Sequence, residues 1–121
     1  MPKRETVTVT TNGSGAGTGY TGVVSGKISQ IRYVKTDFAD GSTITITNEL
    51  TGETIWTEVA VNASATRAPR QATHTTAGVA ALYAGSGQAV LDKIAISKSR
   101  IQVAVTNGGA TKTGTFHIML E

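Results

Sequence analysis

The sequence predicts an all-β protein, an antiparallel two-sheet β-sandwich of jelly-roll-like character with seven to eight short strands. Three observations predict it. Apolar and polar residues alternate with period two in at least five segments, Gly, Asn and Asp mark the breaks between them, and no segment has the length or spacing of a substantial amphipathic helix. Alternation of this kind sends one set of side chains to a buried sheet face and the other to water.

The first strand is Thr6 to Thr10, where Val7 and Val9 alternate with threonines. β-Branched residues on both faces suit a pleated backbone and leave the threonine face wet. Residues 11–19 (TNGSGAGTG) are read as a flexible Gly-rich loop or an arm that orders against a partner, and residues 1–5 as a flexible N-terminal arm. Tyr20 to Val24 continues as an extended stretch. In Lys27 to Lys35, Ile28, Ile31, Tyr33 and Val34 break strict alternation, as in a strand with a bulge or with both faces covered.

Thr43-Ile44-Thr45-Ile46-Thr47 repeats the alternating device. Asn48 to Glu53, with Gly52, has the composition of a hairpin loop, and the partner strand is Thr54 to Val59 with Ile55 and Val59 inward. Trp56 then falls on the face opposite Ile55, where a second sheet or a partner chain covers it. Residues 62–78 form a long connection without periodicity, of the kind that is functional or crosses from one sheet to the other. Val79 to Tyr83 is a strand by position or a short helix by its alanine content. Ile94 and Ile96, the break Ser97-Lys98-Ser99, and Ile101, Val103 and Val105 read as a second hairpin. With the turn Asn107 to Lys112 and the strand carrying Phe116, Ile118 and Leu120, the last thirty residues read as a three-stranded meander.

A length of 121 residues with 39% hydrophobic content sets one domain over residues 1–121. The chain has 21 Thr, 15 Ala and 14 Gly but no Cys, and the glycines follow no strict repeat, which excludes a disulfide scaffold and collagen. The aliphatic residues are patterned, which argues against intrinsic disorder. A net charge of +3 spread over the chain reads as a slightly basic surface and argues against nucleic acid as the partner. No window approaches a membrane span, and no apolar stretch follows Lys3 and Arg4 to make a signal peptide, so no membrane association is expected.

No catalytic, cofactor-binding or metal-ligating residue is named. The glycine run lacks the following helix and the Gly-Lys-Ser/Thr ending of a phosphate loop. Asp37, Asp40 and Gly41 read as turn chemistry and not a calcium loop, and Glu49, Glu53 and Glu58 as surface charge and not a glycosidase pair. His74 and His117 have no cysteines beside them for zinc, and no serine sits in a nucleophile elbow. The protein is expected not to be an enzyme. The candidate residues are partner contacts: Lys3 and Arg4 at the N-terminus, Arg67 and Arg70 held apart by Pro69 for bidentate contact with carboxylate or phosphate, His74 on the same loop, and Trp56.

Three segments carry a resemblance to a known class: Gln30 to Phe38, the pairing of Thr43 to Thr47 with Gly52 to Trp56, and Lys112 to Ile118. They resemble small structural proteins from the head genes of tailed bacteriophages, most similar to decoration or cement proteins of the capsid exterior. The resemblance implies a virion protein made in the bacterial cytoplasm. It would bind and stabilise the outer shell, with the major capsid protein as partner and a homo-oligomer, dimer or trimer, as its state. The alternatives are a glycan- or receptor-binding sandwich of a tail or surface structure, and a head-tail joining or tail-tube subunit.

Overall fold

The computed structural model describes residues 3–82 and 87–121 and has ten strands and no helix among them. They are β1 (Lys3–Thr10), β2 (Gly17–Tyr20), β3 (Val24–Lys35), β4 (Ser42–Asn48), β5 (Thr54–Val61), β6 (Ala65–Arg67), β7 (Arg70–Ala72), β8 (Leu91–Ser99), β9 (Ile101–Thr106) and β10 (Thr113–Leu120). The first sheet runs β1-β10-β3-β8-β7, with β6 also on β3, and the second runs β2-β9-β4-β5. All pairings are antiparallel.

With the short β6 and β7 set aside, eight strands remain, and their order is a jelly roll. β4 pairs β5, β3 pairs β8, β2 pairs β9 and β1 pairs β10, so the chain is one long hairpin rolled into two sheets. The apex of that hairpin is the turn after Thr43-Ile44-Thr45-Ile46-Thr47. There Gly52 adopts φ 75° and the Asn48 carbonyl accepts the Gly52 N–H at 2.7 Å.

Two sequence expectations change here. The strand count is ten, because the connection over residues 62–78 crosses between sheets and holds β6 and β7. The C-terminal meander does not form: β8 lies in the first sheet, β9 in the second and β10 in the first again. The break before Arg100 is therefore a corner, with Lys98 at φ 48° and the buried Ser99 Oγ donating to Asn48 Oδ1 at 2.6 Å. A corner and a hairpin both need a short polar break, so alternation alone cannot separate them.

The N-terminal segment changes as well. Lys3, Arg4 and Glu5 are the first residues of β1, in register with Leu120, Met119 and Ile118; Met1 and Pro2 lie outside the described residues. Gly17 and Gly19 of the supposed arm belong to β2 and face β1 across the sandwich. A Cβ on Gly17 would sit 2.6 Å from the Thr10 carbonyl oxygen, and one on Gly19 would sit 2.7 Å from Val7 Cγ1. The glycines let two backbones approach where the roll closes. Gly15 is held too, its carbonyl accepting the Gly108 N–H at 2.9 Å.

The core lies between the sheets and is built from alternate residues of both, among them Val7, Ile31, Phe116 and Ile118 facing Ile44, Ile46, Ile101 and Val103. Tyr33 stacks on Phe116 with centroids 4.9 Å apart and on Phe38 at 6.2 Å. Phe38 lies over Gly114, where any side chain would collide with its ring. The Tyr33 hydroxyl is buried with no partner in hydrogen-bond geometry, the nearby Ser42 hydroxyl donating instead to the Val61 carbonyl at 3.1 Å; burial pushes the Tyr33 phenol pKa up and the proximity of Ser42 offsets part of the rise.

Candidate functional site

Strand pleating sorts the outward side chains onto two faces of different character. On the second sheet the outward residues are Thr18 and Tyr20 of β2, Gln102, Ala104 and Thr106 of β9, Thr43, Thr45 and Thr47 of β4, and Thr54 and Thr57 of β5. None is charged. On the first sheet, one cross-strand row runs Thr6, His117, Arg32, Thr66 over β1, β10, β3 and β6, and the next runs Arg4, Met119, Gln30. His117 Nδ1 lies 3.2 Å from Thr6 Oγ1, Arg32 Nη1 donates to Thr66 Oγ1 at 3.0 Å, and Gln30 Nε2 reaches Met119 Sδ at 3.3 Å. No carboxylate stands in either row.

Ion pairing concentrates the charge further. All the charged side chains fall within the described residues, and six ion pairs use six of the eleven cations and six of the eight carboxylates. The net +3 is therefore carried by Arg4, Arg32, Arg70, Lys98 and Lys112 against Asp37 and Glu53. Asp37 accepts the Thr113 N–H at 2.6 Å. Two of the three unpaired arginines, Arg4 and Arg32, are exposed on the open face of the first sheet, and Arg70 stands beside it on β7. The charge is not evenly spread, as composition had suggested.

The six sequence candidates separate. Arg4 is on this face, whereas Lys3 and Glu5 alternate to the other side of β1, in register with Leu120 and Ile118, and pair with each other at 3.7 Å. Arg70, paired in register with Lys93, donates from Nη1 to the carbonyl of Ser29, a residue bulged out of the β3–β10 register, at 3.1 Å. Arg67 is not a free contact. Its Nε and Nη2 donate to the two carboxylate oxygens of Glu58 at 2.8 and 2.9 Å, so β6 of one sheet is clamped to β5 of the other. Trp56 Nε1 donates to the same carboxylate at 3.1 Å, and the Arg67 guanidinium lies 6.0 Å from the Trp56 ring centroid. The Arg67 hydrogen bonds hold the Glu58 carboxyl below the usual range, and Glu58 in turn raises Arg67.

Trp56 is buried on the same face as Ile55, against the alternation reading. Trp56 pairs with Ile46 and Thr54 with Thr47, so Ile55 is an extra residue on β5, and the bulge turns both side chains inward. A second bulge sets Ser42 opposite Val61 and Ile44 opposite Glu58. It puts Ala60 at φ 55° and leaves Val59 exposed where an inward side chain was expected. His74 is exposed and bridged to Ala80 in an excursion beyond β7, tied by Thr73 N–H to the Val90 carbonyl at 2.8 Å and Ala81 N–H to the Thr73 carbonyl at 3.0 Å. Val79 to Leu82 is extended there, and Tyr83 lies outside the described residues. The excursion and the face are separate features.

Sequence reasoning missed Arg32 and Met119. Alternation in the last strand placed Met119 outward, Arg32 lies in a segment whose alternation is broken, and the neighbours of both on the face belong to strands distant in sequence. No protein-family model matches the chain, and no curated protein matches it in sequence.

Proposed function

We propose that the protein is a structural component of a bacteriophage virion, a decoration or cement protein that docks on the outer capsid shell through the open face of its first sheet. The observation that carries the reading is the sorting of charge: a stiff jelly roll with Arg4 and Arg32 unpaired on one broad face, and on the other uncharged strand residues with a single neutralised pair, Arg100 and Glu49, at the Tyr20 end. A protein that binds an acidic lattice sets its basic face inward, and a neutral threonine face outward avoids recruiting further layers. The jelly roll is a fold of viral capsid and lectin domains, which is an analogy of fold and not of site.

Many copies on a repeating shell make weak single contacts strong together, and a dimer or trimer adds to that effect. The lectin-like alternative needs a stacking platform, and Trp56 offers none, being buried under Arg67. The test is co-sedimentation with bacteriophage capsid shells stripped of their decoration protein, with shell melting followed in parallel. Binding that raises the shell melting temperature and is lost in Arg4→Glu/Arg32→Glu supports the reading. Absence of co-sedimentation at low salt overturns it.

A further inference from the structure

Resting on that docking face, we infer that its occupant is an extended acidic segment of the partner with carboxylates four residues apart, anchored by an apolar side chain beside Met119. Arg4 and Arg32 stand on strands separated by β10 and in rows two residues apart. With strands about 4.8 Å apart and a rise of about 3.3 Å per residue, their Cα atoms are about 12 Å apart. An extended chain covers about 13 Å in four residues, so carboxylates at positions i and i+4 meet both guanidiniums, and a segment with adjacent acids meets only one.

Planar guanidinium forks suit carboxylates, and both side chains are exposed with their charge unshared by any carboxylate. At the Arg4 end the face dips into an open concavity of about 590 Å³ lined by Lys3, Arg4, Ser29, Met119, Leu120 and Glu121. Its apolar floor takes an aliphatic side chain and gives nothing to a phosphate backbone. Two or three arginines also release too few counterions to hold a nucleic acid at physiological salt.

The probe is a synthetic peptide, acetyl-Glu-Thr-Leu-Thr-Glu-amide, titrated into the ¹⁵N-labelled protein, with acetyl-Glu-Glu-Thr-Leu-Thr-amide and a short oligothymidylate as comparators. The expected result is amide shifts confined to residues around Arg4, Arg32, His117 and Met119, at least fivefold tighter binding than either comparator, and at least tenfold weakening in Arg4→Gln/Arg32→Gln. The same spectra report whether that variant is folded. Equal binding of the adjacent-acid peptide, tighter binding of the oligonucleotide, or shifts centred elsewhere overturns the inference. Shells that co-sediment while the peptide fails leave the docking reading standing and this one fallen, and the reverse result separates them the other way.

Discussion

Replacing Gly17 with Ala tests whether the glycine-rich stretch is packed structure. The new Cβ would lie 2.6 Å from the Thr10 carbonyl oxygen and 3.0 Å from Val9 Cγ1. The first obstacle is backbone within a paired strand and cannot rotate away, so the cost belongs to the upper part of the overpacking range, about 2–3 kcal/mol. Alanine returns about 0.4–1 kcal/mol by restricting the unfolded chain, which leaves a net loss of about 1–2.6 kcal/mol. For a domain of this size that lowers Tm by roughly 4–10 °C. At Gly19 the obstacles are methyl groups of Val7 and Val9, which shift more easily, and the net loss of Gly19→Ala is expected to stay below about 1 kcal/mol. Gly13 is the control. Nothing lies within 4 Å of its added Cβ and its φ is not positive, so Gly13→Ala should leave stability unchanged or slightly raised. Urea denaturation and calorimetry of the three variants give the ranking. If Gly17→Ala melts with Gly13→Ala, β2 does not pack on β1 and the segment is the free arm that its composition suggests.

Tyr33→Phe removes a buried hydroxyl without a partner and should stabilise the fold by about 1 kcal/mol at neutral pH, measured by urea denaturation; destabilisation would show that the hydroxyl is bonded. Because burial raises the native phenol pKa, Tyr33 contributes stability that is present below its ordinary value of 10.0 and lost as pH rises through the native value, so the variant should also resist alkaline unfolding better than the parent. Glu58→Gln loosens the clamp between β5 and β6. Its cost should be under about 1 kcal/mol because the pair is partly exposed, with a shift in Trp56 fluorescence as the direct readout. The native Glu58 pKa is lowered, so the parent's advantage over Glu58→Gln should be full above pH 4.5 and vanish as pH falls through the native value; an advantage that grows in acid would contradict the assignment. Gly114→Ala should displace Phe38 and cost about 2–3 kcal/mol, seen as loss of cooperative melting amplitude in the near-UV circular dichroism.

What the sequence made legible follows from how far each signal reaches. Thr43 to Thr47, the loop with Gly52 and the strand after it were readable because partner and turn lie within a few residues. That hairpin is also the apex from which the roll is built. Ile101 to Val105 and Phe116 to Leu120 were readable as strands by alternation, but not the sheet each joins, since Ser97-Lys98-Ser99 fits a hairpin turn as well as a corner between sheets. Bulges were legible only in part: Lys27 to Lys35 showed broken alternation, whereas the adjacent apolar residues Ile55 and Trp56 were assigned to opposite faces by strict period two and fold with both side chains inside. Gly17 and Gly19 misled because a glycine needed for close approach has the same composition as one in a flexible linker.

The face that carries the uncompensated arginines was the least legible part, and the reason is electrostatic bookkeeping across the fold. A chain with eleven cations and eight carboxylates looks weakly basic when its charges are taken as a mixture. Folding pairs Arg67 with Glu58, Arg100 with Glu49 and Lys35 with Asp40, and each such pair joins segments whose proximity depends on the sheet order or on a turn. What remains is a short set of uncompensated side chains, and two of its arginines share a face because β1, β10 and β3 are adjacent in the roll, although they come from the two ends and the first third of the chain. Arg67 and Arg70 looked like the recognition pair because they are close in sequence and flank a proline. Arg4 and Arg32 are the pair free to act because the topology brings them together and gives neither a carboxylate. A substitution that adds one acid to the row of Arg4 on the strand of Arg32, such as Gln30→Glu, should therefore weaken partner binding more than the same charge change at Thr45 on the neutral face. Equal effects at the two positions would place recognition outside the first sheet.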